Sequence, residues 1–450
     1  MGATMEYSLS RDYILKIIKE SGIVGGGGAG FPTHIKYNSR AETVIVNGAE
    51  CEPLLRVDQQ LMALKPEEII EGLKIAMTVT GAERGVIALK GKYKDAIKAL
   101  EAVLPGQKNI SLHIMGNYYP AGDEQTLVYE VTGRIVPEGG IPLSVGAVVS
   151  NAVTLYNVFK ASQGEPVTCR PLTVTGEVNN PVTLNVPVGT TIRDVLSYAG
   201  GVKIDNPVII RGGPMMGTVT EDLEEPVMKT DSGLIVLPSD HYLVKTKTRD
   251  IKVNLSHTKM CEMCTYCTML CPRYLLGHNL QPHLMMRIIG YGIEKASIDD
   301  LCQAYLCCQC GICSMVACPV DLRPREIYAG IVMELRRKNI TNPHKRKELT
   351  PRPLMKLRRT SAAGLVTRLE LAGYDVKAPW KDMDIHPGKV IIPLKQHTGI
   401  ACTPSVKAGD RVVKGQIIGT VPEGATGAYV HASISGHVVE ISNSIIIDGE

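Results

Sequence analysis

The sequence predicts a multidomain protein of mixed α/β and α+β class, and three observations lead there. Its 450 residues exceed what one hydrophobic core organises, so three or more domains are expected. Strand-like and helix-like stretches alternate through the first third, and short strands with glycine turns fill residues 388 to 450. Between them, most of the thirteen cysteines crowd into the stretch from Cys261 to Pro319.

Composition narrows the function. A formal net charge of +4 and 4 % aromatic residues argue against nucleic-acid binding, which needs a basic face and stacking side chains. No run of about eighteen apolar residues occurs, so no direct membrane span is expected. The opening MGATMEYSLSRDY lacks a basic end followed by an apolar stretch, which reads as a cytoplasmic protein under reducing conditions.

The first elements follow from pattern and punctuation. Residues 10 to 21 read as an amphipathic helix with Tyr13, Ile14, Ile17 and Ile18 on one face, ended by Gly22. Gly25 to Gly28, Ala29 and Gly30 then run into Phe31, Pro32 and Thr33. Here the backbone can approach a ligand without intervening side chains, although the Lys-Ser/Thr ending of a P-loop is missing. Thr43 to Val46 reads as a buried strand that delivers Asn47, Gly48, Ala49, Glu50, Cys51, Glu52 and Pro53 at its C-terminal end, where open α/β sheets bind ligands. Helices over 67–80 and 93–104 and strands over 85–90 and 110–115 complete the alternation.

The cysteines carry the most specific signal. Cys261, Cys264, Cys267 and Cys271, followed by Pro272, reproduce the C-x2-C-x2-C-x3-C-P run whose thiolates hold [4Fe-4S] cubanes. Cys307, Cys310, Cys313 and Cys318, followed by Pro319, repeat it with one extra residue before the last cysteine. A tight loop wraps three thiolates around one cube, and the fourth, beyond a proline-directed turn, reaches the other. Cluster one is therefore assigned to Cys261, Cys264, Cys267 and Cys318, and cluster two to Cys307, Cys310, Cys313 and Cys271. Cys302 and Cys308 are left over, and Cys308 is an alternative to Cys307. Zinc ribbons and disulfides are the competing readings, but neither calls for two consecutive four-cysteine runs ending in Cys-Pro. Cys51 and Cys169 read as free thiols in packing positions.

GGGGAGFPT, NGAECEP, YPAGDEQTL (Tyr119 to Leu127) and VVSNAVTL (Val148 to Leu155) occur in an order that resembles the flavin-binding subunit of respiratory complex I. The whole chain resembles still more the family of the Rnf-complex C subunit, especially its cobalamin-reductase branch. The resemblance implies FMN, two [4Fe-4S] clusters and NADH as electron donor. It implies that Gly25, Gly27, Gly28 and Gly30 hold the FMN phosphate. It also carries Lys36, Asn47, Glu50, Glu52, Tyr119, Asp123, Glu124, Asn151 and Thr154 over as cofactor-binding residues. Gly26, Ala49 and Val153 depart from the complex I pattern, where an arginine, an aspartate and a glutamate stand. These departures bear on NADH more than on FMN.

The resemblance divides the chain into an FMN/NADH-binding domain over 1–165, a β-grasp domain over 166–250, a two-cluster ferredoxin-like helical domain over 251–340, a linker over 341–387 and an all-β barrel-sandwich hybrid over 388–450. In the β-grasp unit, LTVTGEV opens, a helix spans Thr191 to Ala199 and Val208 to Arg211 is a strand; its role is either spacer or ligand binding. Residues 222 to 258 read as a strand-rich return to the core with Leu234 to Leu237 buried. The basic, proline-punctuated stretch from Asn339 to Thr360 reads as exposed linker, or as a dock for an acidic acceptor. In the last module, short strands with glycine turns are expected at Val390 to Pro393, Val406 to Asp410, Val412 to Gly415 and Ile417 to Val421, and a second half, Tyr429 to Ile441, turns at Ser435-Gly436. Gly424, Ala425, Thr426 and Gly427 stand where a carrier domain would show its modified lysine, which excludes a swinging arm.

The expected function is an oxidoreductase that passes electrons from NADH through FMN and the two clusters to cobalamin. The alternative is a non-catalytic or NADH-linked subunit feeding a partner reductase or an Rnf-like complex. Either way the partners are NADH and an electron-accepting protein or cobalamin-handling enzyme.

Overall fold

The computed structural model describes residues 10–450, so residues 1–9 of the opening stretch, read above for its lack of a leader, lie outside it. Ser10 caps α1 (Arg11–Glu20) by accepting from the Tyr13 amide. Only Ile14 and Ile18 of the expected face are buried, and Tyr13 is 49 % exposed, because the helix meets the domain along a narrow i, i+4 stripe. There follow α2 (Thr33–Tyr37), β1 (Thr43–Gly48), α3 (Val57–Leu64), α4 (Pro66–Thr80), β2 (Arg84–Lys90), α5 (Lys94–Val103) and β3 (Ile110–Met115). The first domain closes with β4 (Tyr118–Tyr119), α6 (Glu124–Thr132), β5 (Ala147–Asn151) and α7 (Ala152–Ser162).

Pro66 opens α4 and Gly81, at φ +70°, ends it, the usual asymmetry of helix ends. The sheet runs β3-β2-β1-β5 with every pair parallel. The strand order therefore progresses from β1 through β2 to β3 on one side, while β5 lies on the other. This is a topological switch point, and the crevice it leaves at the C-terminal strand ends is where such sheets bind ligands.

The second unit pairs β6 (Cys169–Gly176) with β7 (Val182–Pro187) and, across α8 (Ile192–Tyr198), adds β8 (Pro207–Arg211), β9 (Thr218–Thr220) and β10 (Gly233–Pro238) in the order β7-β6-β10-β8-β9. The strand-rich reading of 222 to 258 holds only for β10. His241 and Asp250 accept from the backbone as N-caps and start α9 (Tyr242–Lys247) and α10 (Ile251–His257) instead.

Short helices carry the cysteine loops: α11 (Tyr266–Met269), α12 (Pro272–Leu275), α13 (Pro282–Tyr291), α14 (Ile298–Cys302) and α15 (Pro324–Arg337). The stretch read as exposed linker is largely exposed, and its arginines strap it to the body. Arg346 bonds Glu138 at 2.9 Å, Arg352 stacks over Tyr274 at 4.8 Å and Arg359 pairs with Glu130. Next, β11 (Thr360–Ser361) pairs with β4, and α16 (Ala362–Arg368) buries Leu365 and Val366, with Leu369 and Leu371 following into the core. These side chains share one core with Leu54 and Tyr119 of the first domain, Ile210 and Ile235 of the second, and Ile312 and Met315 of the cysteine region. The apolar residues scattered through a charged segment explain why it reads as surface.

The last module contains β12 (Lys389–Pro393), β13 (Thr403–Pro404), β14 (Arg411–Val412), β15 (Ile417–Thr420), β16 (Val430–His431), β17 (Gly436–Ile441) and β18 (Ser444–Gly449), in sheets ordered β12-β18-β17-β14 and β13-β15-β16. The expected strand at Val406 to Asp410 is a turn, closed by Asp410 accepting from the Lys407 amide. The module is tied down by Lys229, whose buried Nζ donates to the carbonyls of Gly22 and Tyr429.

Helices α4 and α7 meet backbone to backbone at Gly72, where an added Cβ would run into the Leu155 carbonyl. Gly72→Ala should therefore cost about 1–3 kcal/mol through overpacking. A melting curve followed by circular dichroism checks this; an unchanged midpoint would mean that the contact has room to give.

Candidate functional site

The crevice at the switch point is a cavity of about 670 Å³. Its floor is the pair Asn47 and Asn151, which face each other in register at the ends of β1 and β5. Asn47 Nδ2 donates to the Gly122 carbonyl at 2.8 Å and its Oδ1 accepts from the Ala49 amide, so one side chain holds both neighbouring loops. Asn151 caps α7 by accepting from the Val153 amide and donates to Asp58 at 2.8 Å. Asp123 caps α6 in the same manner, so two helix N-termini stand at the cavity, a setting that favours bound negative charge.

Of the residues the sequence points to, Gly27, Gly28, Asn47, Glu50, Glu52, Asp123, Glu124 and Asn151 line this cavity, and the other five stand behind it. Gly25 donates to the Phe31 carbonyl, and Gly30, at φ +69°, turns the chain against Thr230 and Gln396; both shape the base of the loop. Thr154 accepts from the Gly26 amide at 2.9 Å, which anchors the loop from the rear. Lys36 bonds Glu124 and the Val149 carbonyl at 2.9 and 3.0 Å. Tyr119 is buried and donates to the Cys310 carbonyl at 2.7 Å.

Several lining residues escaped the sequence reading. Gly26 lies in the wall, and a Cβ there would meet Arg170 Nη1 and Asn151 Oδ1, both at 2.9 Å. The guanidinium at this point of the cavity thus belongs to Arg170, which arrives on β6 and donates to the Gly26 carbonyl at 2.7 Å. The second domain closes the cavity with Gly212, Gly213, Met216 and Asp231, so it is part of the site rather than a spacer. Glu52 locks this wall in place by accepting from the amides of Met215 and Met216 at 2.8 and 2.9 Å. Asp58 sits on α3, a helix whose polar start hid it. Cys51, expected in packing, also lines the cavity.

Burial governs the charges. It pushes Glu50 well above the usual carboxylate range, and the neighbouring Asp58 adds to the effect. Asp58 rises to about 6 for the same reason, although its bond from Asn151 opposes the shift. Burial would also raise Asp123, but Arg273 and the Thr126 amide and hydroxyl outweigh it and hold that carboxyl below its ordinary value. Arg273 meets Asp123 in a bidentate pair at 2.5 and 2.9 Å, and it stands two residues after Cys271.

That pair leads to the cysteines. Cys261, Cys264, Cys267 and Cys318 surround one small cavity with apolar walls that include Met286, Val320 and Leu322. Cys271, Cys307, Cys308, Cys310 and Cys313 surround another beside Leu280, Ile312 and Tyr328. Among the described residues no three His, Cys, Asp or Glu side chains close on a single metal-ion position. In a cubane each thiolate binds a different iron, so thiols spaced around a cavity suit a cluster better than one zinc ion. Backbone amides of Gln309 and Leu322 approach Cys307 and Cys318 sulfur at 3.3 Å, the hydrogen bonds that tune such clusters. Cys302 is fully buried in an apolar core and lines neither cavity. Cys308 and Cys310 line the large cavity as well, so the cysteine loop forms part of its wall.

The large cavity fits a mononucleotide. Its volume is that of an ordinary cofactor site, its loop offers bare backbone, and a side chain at Gly28 would meet no protein atom within 4 Å. Thiols dominate the donor sets of the two small cavities, beside Glu262 and His283 in the first and Tyr328 in the second.

Comparison with known proteins agrees domain by domain. Residues 18–160 match the Nuo51 FMN-binding domain, 171–219 the SLBB domain, 260–323 the 4Fe-4S dicluster domain and 377–450 the RnfC barrel sandwich hybrid domain. The cobalamin reductase PduS of Citrobacter freundii is 46 % identical over 432 residues, covering 95 % of this chain and 94 % of that protein. PduS of Salmonella typhimurium is 44 % identical over 448 residues, with 98 % of each chain covered. A component of the Na+-translocating ferredoxin:NAD+ oxidoreductase complex of Acetobacterium woodii is 34 % identical over 278 residues, 60 % of each chain. The chain belongs to the PduS cobalamin reductase family, as an oxidoreductase built on FMN and two [4Fe-4S] clusters.

Proposed function

We propose that this protein oxidises NADH and delivers the electrons to cobalamin or to a cobalamin-handling enzyme, and that it works in the cytoplasm. The bound flavin supplies the change from a two-electron donor to one-electron steps, and the clusters carry single electrons. The observation that carries the reading is the shared wall: Cys308 and Cys310 line both the large cavity and the cavity of cluster two. Cluster one's cavity shares no lining residue with the large one, and its Cys264 is exposed. This supports an order in which electrons enter at the large cavity, cross Cys271, Cys307, Cys310 and Cys313, and leave beside Cys264. No helix among the described residues is long and apolar enough to cross a membrane.

The chain's own residues have separate tasks in this reading. The amides of Gly27 and Gly28 and the starts of α6 and α7 would receive the phosphate. Asn47 and Asn151 set the spacing of the strand ends. The β-grasp wall, pinned by Glu52, would exclude water from a flavin bound in the cavity.

Anaerobic protein should carry about eight irons, the content of two cubanes. With NADH present, its flavin absorbance should bleach and added cob(III)alamin should be reduced; flavin that stays oxidised would leave the protein as a wiring subunit fed by a partner. Cys310→Ser is expected to keep the bleaching and to lose at least about tenfold in cobalamin reduction, a barrier increase of about 1.4 kcal/mol. Transfer at the parent rate would mean that electrons bypass cluster two. Gly28→Val should fold normally yet retain no FMN, since the added side chain clears the protein at a residue that lines the cavity; a flavin-replete variant would place the cradle elsewhere.

A further inference from the structure

Behind the segment Glu50-Cys51-Glu52 lies a second, smaller cavity of about 70 Å³. Glu50, Cys51, Glu52 and Leu55 line both cavities, so one thickness of chain separates them. At the C-terminal end of β2, Lys90 lines the small cavity. It is 1 % exposed, and no hydrogen bond or ion pair engages its Nζ among the described residues. A buried ammonium without partners is costly, and the space beside it has room for about two waters, which would satisfy it. The far side of the small cavity is formed by Lys92 and Asp375, both exposed.

The groups facing Lys90 come from three elements. Glu50, Cys51, Glu52 and Arg56 belong to the loop after β1, Lys92 and Tyr93 to the turn after β2, and Asp375 to the strap. The two acidic neighbours differ in freedom. Glu52 is held by two amides, whereas Glu50 accepts only the Asp58 amide, at 3.2 Å, and its carboxyl remains available to both cavities. Burial brings the Lys90 ammonium down to about 8, so both of its protonation states are accessible near neutrality.

Oxidation of NADH to NAD+ with electrons leaving singly releases two electrons and one proton per turnover. The electrons have the cysteine wall. We propose that the proton leaves through the small cavity, taken up at the Glu50 carboxylate and handed through cavity water to Lys90 Nζ and on to solvent past Lys92 and Asp375. The inference rests on the reading that the flavin occupies the large cavity.

The test uses the anaerobic holoprotein and the variants Lys90→Met and Lys90→Gln, the second of which keeps a polar side chain in the cavity but cannot titrate. The flavin midpoint potential, measured by spectroelectrochemistry between pH 6 and 10, needs neither NADH nor acceptor. Wild type should show a change of slope near pH 8 that both variants lose while retaining FMN and iron. In stopped flow with a pH-indicator dye and ferricyanide as acceptor, proton appearance after NADH addition should slow about tenfold in both variants and in a third, Lys90→Ala, where methylamine should restore it. A variant with wild-type slope and wild-type proton release would overturn the proposal. If wild type fails to oxidise NADH, the functional reading fails, and the potential titration still decides the role of Lys90.

Discussion

The arrangement depends on the buried pair of Asp123 and Arg273. Asp123 caps the helix that starts at the large cavity, and Arg273 follows the fourth cysteine of the first run, so one bidentate contact ties the crevice to the cysteine region. Neither side chain is more than 11 % exposed. Taking two charges out of water costs nearly as much as their attraction returns, and removing one partner alone costs about 3–5 kcal/mol. The pair therefore adds little net stability but heavily penalises any docking that separates the two. Tyr119, donating to the Cys310 carbonyl, fixes the second run to the same crevice from the next loop.

Around this contact the protein distributes its charges unevenly. On the cluster side, Asp123 stays ionised because a cation faces it. On the opposite side Glu50 and Asp58 share a poorly solvated corner with no cation at bonding distance, and their acidity falls. Carboxylates within one crevice thus have different proton affinities, and the difference follows from which domain supplies the neighbour. On the proposed reading, electrons and protons part in space, the former toward the cysteine loops and the latter toward Lys90 and its small cavity.

The second domain and the strap make this separation possible. Arg170, Gly213 and Asp231 close the crevice from the β-grasp domain, and α16 covers the small cavity with Ala362, Ala363 and Val366. These segments lie more than a hundred residues from the glycine loop in sequence. Their conformational cost is met by the shared apolar core that joins Leu54, Ile235, Met315 and Leu369.

Local pattern alone determined what depends on near neighbours in the chain. The cysteine runs specify their loops because three thiols must wrap one cube within a few residues, and the alternation of strand and helix specifies a parallel sheet whose strand ends carry the Asn47 segment. Cap and turn chemistry, such as Ser10 and Gly81, is equally local. Tertiary structure decided the rest. It put Lys36, Tyr119 and Thr154 behind the cavity, brought Arg170 to the place where Gly26 leaves no room for a side chain, turned the basic stretch into a strap, and enclosed Lys90. Each of these depends on contacts between residues far apart in the chain, and a spacing rule cannot report which distant side chain arrives first or from which face.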